Sequence, residues 1–152
     1  MLKALRALFE LPETETPESL ERRLRLAAAA LLVETARADF TQGLDEEAMM
    51  EELLVEKFDL PVTDVRALMH EANEAADQAT SLYQFTRLIN DHYDADKKQA
   101  LIGAMWAVAY ADDNLDKYEE GLIRQVAELT YVPHSDYIRS KLAAQNKSPA
   151  QG

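Results

Sequence analysis

Apolar positions recur every three to four residues along most of the chain, a spacing typical of amphipathic helices. Leu2, Leu5 and Leu8 begin the pattern in a short helix that Pro12 ends. The β-branched and aromatic residues do not alternate at period two, so strands have almost no support. The pattern therefore predicts an all-α protein, a compact bundle of about seven to eight helices.

Caps and prolines place the ends of the other helices. Thr16, Pro17 and Glu18 combine an N-cap, a first-turn proline and an acid that the helix dipole favours, so a long helix should begin there and end near residue 38. Ser81 with Gln84 has the pattern of a capping box for a later helix. The remaining helices are predicted to span about residues 45–58, 63–78, 81–90, 94–111, 116 to the residue before Pro133, and 135–144.

Two of these helices contain the stretches LAAAALLV and ALIGAMWAVAYA, which are apolar on all sides. A helix without a polar face has to be surrounded by other elements, so we expect both helices at the centre. A chain of this length falls in the usual range for one domain. We expect a single helical domain over residues 1–145 and a disordered tail, NKSPAQG, over 146–152.

The chain also contains an internal repeat. A shift of 73 residues aligns 27–58 with 100–131 without a gap, and six aligned positions are identical. Each unit reads as a buried helix, an acid at its C-terminal end, a loop, and an amphipathic helix that opens with acids. Two such units predict a duplicated helical hairpin rather than a solenoid, which needs about three or more repeats.

The acids of the repeat are the candidate site. Asp39 and Asp112 stand at predicted helix C-termini, where the dipole disfavours a carboxylate, while Glu46 and Glu119 stand in the first turn of the next helix. Asp116 adds a further oxygen to the second copy. Hard cations take such oxygen ligands, so Ca²⁺, Mg²⁺ or Mn²⁺, or else Zn²⁺, is one interpretation. The other is a capped turn, in which Asp116 and Glu119 form a capping box.

The acidic residues of the second copy do not form an EF-hand calcium-binding loop. Asp112, Asn114 and Asp116 match the first, third and fifth positions of that loop. Lys117 then occupies the position of the required glycine, and Ile123 occupies that of the bidentate glutamate.

These residues do resemble a known family. Ala111, Asp112, Leu115 and Glu119, in a duplicated helical chain of this length, are similar to the TerB-like family, named for tellurite-resistance protein B. Its members carry the pattern Ala-Asp-Gly-x-Ile-x-x-x-Glu twice, on a bundle of about seven helices, and the resemblance covers roughly residues 20–145. The chain departs from the pattern at Asp113 in the second copy and at Phe40 and Gln42 in the first.

The resemblance implies a function as well as a fold. It implies a non-enzymatic module associated with resistance to tellurite and other stresses, with acidic motif residues that bind divalent cations. Carried to this sequence, the implied ligands are Asp112 and Glu119, then Asp39 and Glu46, with Asp116 as an accessory. Many members act as adaptors, so a protein partner is expected.

Charge narrows the choice of partner. With 28 acidic and 16 basic residues the formal charge is −12, which argues against nucleic acid and favours a cation or a basic protein surface. The alternative function is therefore a metal-free acidic adaptor that docks a basic partner. Without a cysteine, a secretory signal or a long apolar run, we expect a cytoplasmic protein without a transmembrane segment and with little affinity for membrane surfaces.

A hydrolase or redox enzyme is the third and weakest hypothesis. The HEANE stretch, which begins at His70, resembles a zinc-protease motif, but Glu74 stands where the second histidine is required. No histidine follows a glutamate by three residues, as a di-iron carboxylate bundle would need. Trp106 and Tyr110, four residues apart, are expected in the core rather than in a cofactor pocket.

Overall fold

In the computed structural model, residues 16–37, 44–110 and 117–147 are described, except for the side chains of 44–47 and 147. The predicted N-terminal helix over Leu2 to Phe9 and residues 148–152 of the tail lie outside this description. Seven helices follow one another in the described chain: α1 (Pro17–Arg37), α2 (Leu44–Phe58), α3 (Val62–Gln78), α4 (Tyr83–His92), α5 (Ala95–Ala109), α6 (Lys117–Leu129) and α7 (His134–Lys147).

The all-helical prediction is confirmed, because no strand occurs among the described residues. Local capping explains two of the helix starts. The hydroxyl group of Thr16 accepts a 3.0 Å hydrogen bond from the Ser19 amide at the start of α1. Asp94 caps α5 in the same way, since its carboxylate accepts from the Lys97 amide at 2.9 Å.

The start of α4 differs from the prediction. Leu82, not Ser81, occupies the N-cap position, and no side chain caps it. The side chain of Gln84 instead accepts a hydrogen bond from the backbone amide of Thr80 at 3.3 Å. The glutamine reaches back by one residue more than in a capping box because the chain already turns helically at Leu82, with φ −69° and ψ −21°.

The apolar stretch of α1 lies at the centre, as its sequence predicts, whereas α5 is mostly buried but leaves Ala100 exposed and Gly103 and Ala107 half-buried. Residues 26–33 of α1 are buried without interruption, and α1 packs against α2, α3, α4, α5 and α6. The fully buried residues of α5 include Trp106, Met105 and Ile102. A helix buried on every face gains stability from apolar area removed from water and has no polar side to solvate.

Along the chain, a first unit comprises α1 to α3 and a second unit comprises α5 to α7, with α4 between them. In the first unit α1 packs most extensively against α3, and in the second α5 packs most extensively against α7. In both units the third helix follows a proline, Pro61 before α3 and Pro133 before α7. The duplicated hairpin stays a prediction.

The ends of the described chain bear on two further predictions. Helix α7 continues through Lys147, three residues beyond its predicted end and into the segment expected to be disordered. No helix in the described part of the chain is both long and apolar enough to cross a membrane.

Candidate functional site

The acidic motifs lie at two junctions between helices, one in each unit. The first junction joins α1 to α2, and the second joins α5 to α6. Asp39, Asp112 and Asp116 lie outside the described residues, and Glu46 falls in the first turn of α2 with its side chain outside them. Of the predicted ligands, Glu119 is the one whose side chain the structure places.

Glu119 is fully buried, with 0% of its surface exposed. It lies in the first turn of α6, three residues from the acidic segment 111–116. The other buried polar residues in the described chain are threonines, so Glu119 is the buried acid of that part of the molecule. A buried carboxylate requires compensation, and the positive end of the α6 dipole supplies part of it.

An aromatic cluster forms the α5 side of the second junction. Tyr110, the residue before the acidic segment, is the C-cap of α5, and its amide donates to the Trp106 carbonyl at 2.9 Å. The rings of Tyr110 and Trp106 stack with centroids 6.0 Å apart, and Tyr137 of α7 packs on Trp106 at 5.4 Å. The three side chains are buried, as predicted for Trp106 and Tyr110.

A positively charged side chain from α7 also contacts this side of the junction. Lys141 forms an ion pair with Glu120, the neighbour of Glu119, and its ammonium lies 5.6 Å from the centre of the Trp106 ring. The hydrogen bond to Glu120 raises the pKa of Lys141 above its usual value. Burial raises the pKa of the Tyr110 phenol, an effect that the nearby Lys141 reduces. The ring of Tyr110 is therefore neutral at physiological pH.

At the first junction, an ionic network links the end of α1 to α3. Arg37, the last residue of α1, contacts Oδ1 of Asp77 on α3 at 2.7 Å. The same guanidinium donates to Oδ1 of Asn73 at 3.1 Å, and the Asn73 amide in turn donates to the Met69 carbonyl at 2.9 Å. Burial raises the pKa of Glu34, an effect that the positive charge of Arg37 reduces.

These contacts show what sequence reasoning missed. Arg37, Asp77 and Lys141 were not singled out because their partners are distant in sequence, although Arg37 directly precedes the first motif. The HEANE stretch lies on α3 with Ala72 buried and His70 exposed, and His70 Nε2 is 2.9 Å from Glu74 Oε1. Within residues 16–37, 44–110 and 117–147, no three histidine or acidic side chains come together as ligands for a metal ion.

Comparison with known proteins identifies the family. Neither the curated proteins nor the solved structures give a match. A family match covers residues 25–142, from the first unit to the last turns of α7, and that family is described as tellurite resistance protein TerB. This range includes both acidic motifs and all seven described helices in whole or in part. The chain belongs to the TerB family.

Proposed function

We propose that this protein is a non-enzymatic TerB module that binds a divalent cation at the second junction. Asp112 and Glu119 are the principal ligands in this proposal, and Asp116 is an accessory. The burial of Glu119 in the first turn of α6 carries the proposal, because a capped surface turn does not need an acid with no exposed area.

The chemistry of the donors narrows the choice of ion. The second motif offers carboxylate and amide oxygens, and the chain contains no cysteine. Such a set suits Ca²⁺, Mg²⁺ or Mn²⁺, with Zn²⁺ as a poorer match. Asp39 and Glu46 would provide a second, weaker site, because Phe40 and Gln42 replace the usual residues of the first motif.

The first experiment measures thermal unfolding after dialysis against EDTA and again with each of the four cations. A cation that binds only the folded protein at about a hundred times its Kd adds roughly 2.7 kcal/mol to the free energy of unfolding. For a chain of this size that shifts the midpoint by about 5 to 10 °C. We expect this rise in the wild type and its loss in Glu119→Gln and Asp112→Asn.

Glu18→Gln is the matched control, because Glu18 is also a first-turn glutamate but is exposed. It should keep the full cation-induced rise. Each comparison uses the rise and not the absolute midpoint, so a loss of stability from Glu119→Gln itself does not affect the result. If the wild type shows no rise with any cation, the metal proposal is wrong. If the wild type does show a rise, Asp39→Asn tests whether the first motif contributes to it.

A metal-free adaptor is the second candidate, and the charge of −12 favours it. Its acidic surface would dock a basic protein through contacts that salt weakens and a chelator leaves unchanged. A stress or tellurite response and a cytoplasmic location fit either candidate. Capture of a basic partner that persists in EDTA and falls with added salt would support the adaptor. Loss of capture in EDTA would support the cation-binding module.

A further inference from the structure

An apolar cleft of about 250 Å³ lies between helices of the two units. Helices α1 and α2 of the first unit and α5 of the second form its walls. Buried aliphatic side chains form most of its lining, together with the half-buried Phe58. The apolar residues that line it are Ala28, Leu32, Leu54, Phe58, Ala100, Leu101 and Ala104.

The mouth of this cleft is polar and carries two cations. Lys57 at the end of α2 and Lys97 in α5 both line it, together with Tyr93 and Glu21. Lys57 reaches across to α5 and donates to the carbonyl oxygen of Ala100 at 3.0 Å. Lys97 lies 5.9 Å from the centre of the Tyr93 ring. These contacts place two ammonium groups beside an apolar surface.

The charges at the mouth favour an anion. Glu21, the acid that lines it, is 3.8 Å from Arg25 on the same face of α1, so its charge is partly balanced. The contacts that Lys57 and Lys97 make with Ala100 and Tyr93 are with neutral groups, which leave both positive charges in place. In a chain with a formal charge of −12, two lysines at one cleft are a local concentration of positive charge, which Glu21 and the nearby Glu56 offset in part.

Tyr93 adds a neutral hydrogen-bond donor. Burial, with a smaller contribution from the negative charge of Glu21, raises the pKa of its phenol to about 12. The hydroxyl group thus keeps its proton at physiological pH and is able to donate to an anion. Partial burial lowers the pKa of Lys57, while nearby Glu56 acts in the opposite direction.

We propose that this cleft binds a small amphipathic carboxylate, with its aliphatic chain against Leu32, Leu54 and Leu101 and its carboxylate between Lys57 and Lys97. An apolar cavity with a few polar groups at one end is the usual form of a small-molecule site. The apolar lining stabilises the bound chain by removing its methylene groups from water, and the lysines select the head group. None of the described residues that line the cleft belongs to the acidic motifs, and the proposed binding does not require a bound cation.

The test measures binding of decanoate, decanol and butyrate to the full chain by titration calorimetry, below the micelle concentration and in EDTA. Decanol keeps the tail without the charge, and butyrate keeps the charge with a short tail. We expect decanoate to bind about three- to tenfold more tightly than decanol, and butyrate to bind far more weakly than either. No binding of decanoate, or equal binding of decanoate with either of the other two, would overturn the proposal.

Two lysine variants then locate the head group. Lys57→Gln and Lys97→Gln should each weaken decanoate binding by about two- to fivefold and leave decanol binding unchanged. Lys98→Gln is the matched control, since Lys98 is the next residue of α5 and does not line the cleft. If Lys98→Gln weakens decanoate as much as Lys97→Gln does, the effect is one of overall charge and the proposed site is wrong.

Discussion

The two junctions occupy corresponding places in the two units, yet they are held by different chemistry. At the first, Arg37 ties the end of α1 to α3 through Asp77 and Asn73. At the second, Tyr110 stacks on Trp106, and Lys141 of α7 reaches Glu120. In both, the third helix of the unit fixes the helix end that precedes the acidic segment. Both junctions contain an ion pair, but the pair at the first is more exposed and the second also buries aromatic rings, so stability at the second should depend less on salt.

The largest expected difference in stability between the junctions comes from truncating the buried residue that precedes each junction by one turn. Trp106 and Val33 are aligned by the repeat and are both fully or almost fully buried. Trp106→Ala should lower the free energy of unfolding by about 3 to 5 kcal/mol, and Val33→Ala by about 2 kcal/mol. Urea unfolding measures both. If Trp106→Ala does not fold, Trp106→Phe should still cost more than Val33→Ala; equal losses would contradict the difference in packing.

Removal of the ion pair at the second junction should give the second-largest loss of stability. Lys141→Met keeps the length of the side chain but removes the charge over Trp106, and we expect a loss of about 1 kcal/mol near neutral pH. The folded pKa of Lys141 is raised from 10.5, so the contribution is present below that pH and disappears as pH rises through the folded pKa. The stability difference between wild type and variant should therefore vanish in strong base. A difference that persists there would assign the effect to packing.

The first junction should show a smaller and salt-sensitive effect. Asp77 is 66% exposed and Arg37 is 32% exposed, so we expect Arg37→Gln to cost about 0.5 to 1 kcal/mol at low salt and less at high salt. A double-mutant cycle with Asp77→Asn isolates the pair. The same salt series on Lys141→Met is the comparison. Equal salt dependence at the two junctions would remove the distinction between them.

The smallest effect should come from Glu34, whose aligned residue in the second unit is Ala107. Because burial raises the folded pKa of Glu34 above 4.5, the folded protein loses stability as pH rises from 4.5 through the folded pKa. Glu34→Gln should therefore raise the unfolding midpoint near neutral pH and have no effect in acid below that window. The exposed Glu18→Gln serves as the control. A midpoint that does not rise near neutral pH would show that Arg37 fully compensates the burial of Glu34.

The sequence was sufficient for features set by neighbouring residues. Period and caps predicted the helices, and the Thr16 cap is confirmed because it needs only the amide of Ser19. The continuous apolar stretches predicted the central position of α1 and the burial of most of α5. The Ser81 cap was wrong because the helical turn at Leu82 leaves Gln84 to reach Thr80.

Less of the candidate site could be predicted from the sequence. The repeat identified the acids, but neither a repeat nor a motif determines which acid is buried, and the burial of Glu119 follows from how α6 packs. The partners of Arg37 and Lys141 lie 40 and 21 residues away in the chain, on the third helix of the unit for Arg37 and on the second for Lys141. Local patterns hold no information about such pairs, because the packing of the third helix decides them.

The position of Trp106 also makes it a fluorescence probe of one part of the molecule. It is the sole tryptophan of the chain, and it is buried in the second unit, four residues before Tyr110 and the edge of the acidic segment. Intrinsic tryptophan fluorescence therefore observes the second unit alone, whereas circular dichroism averages all the helices. A difference between the two signals during unfolding would reveal whether the two units open together or one before the other.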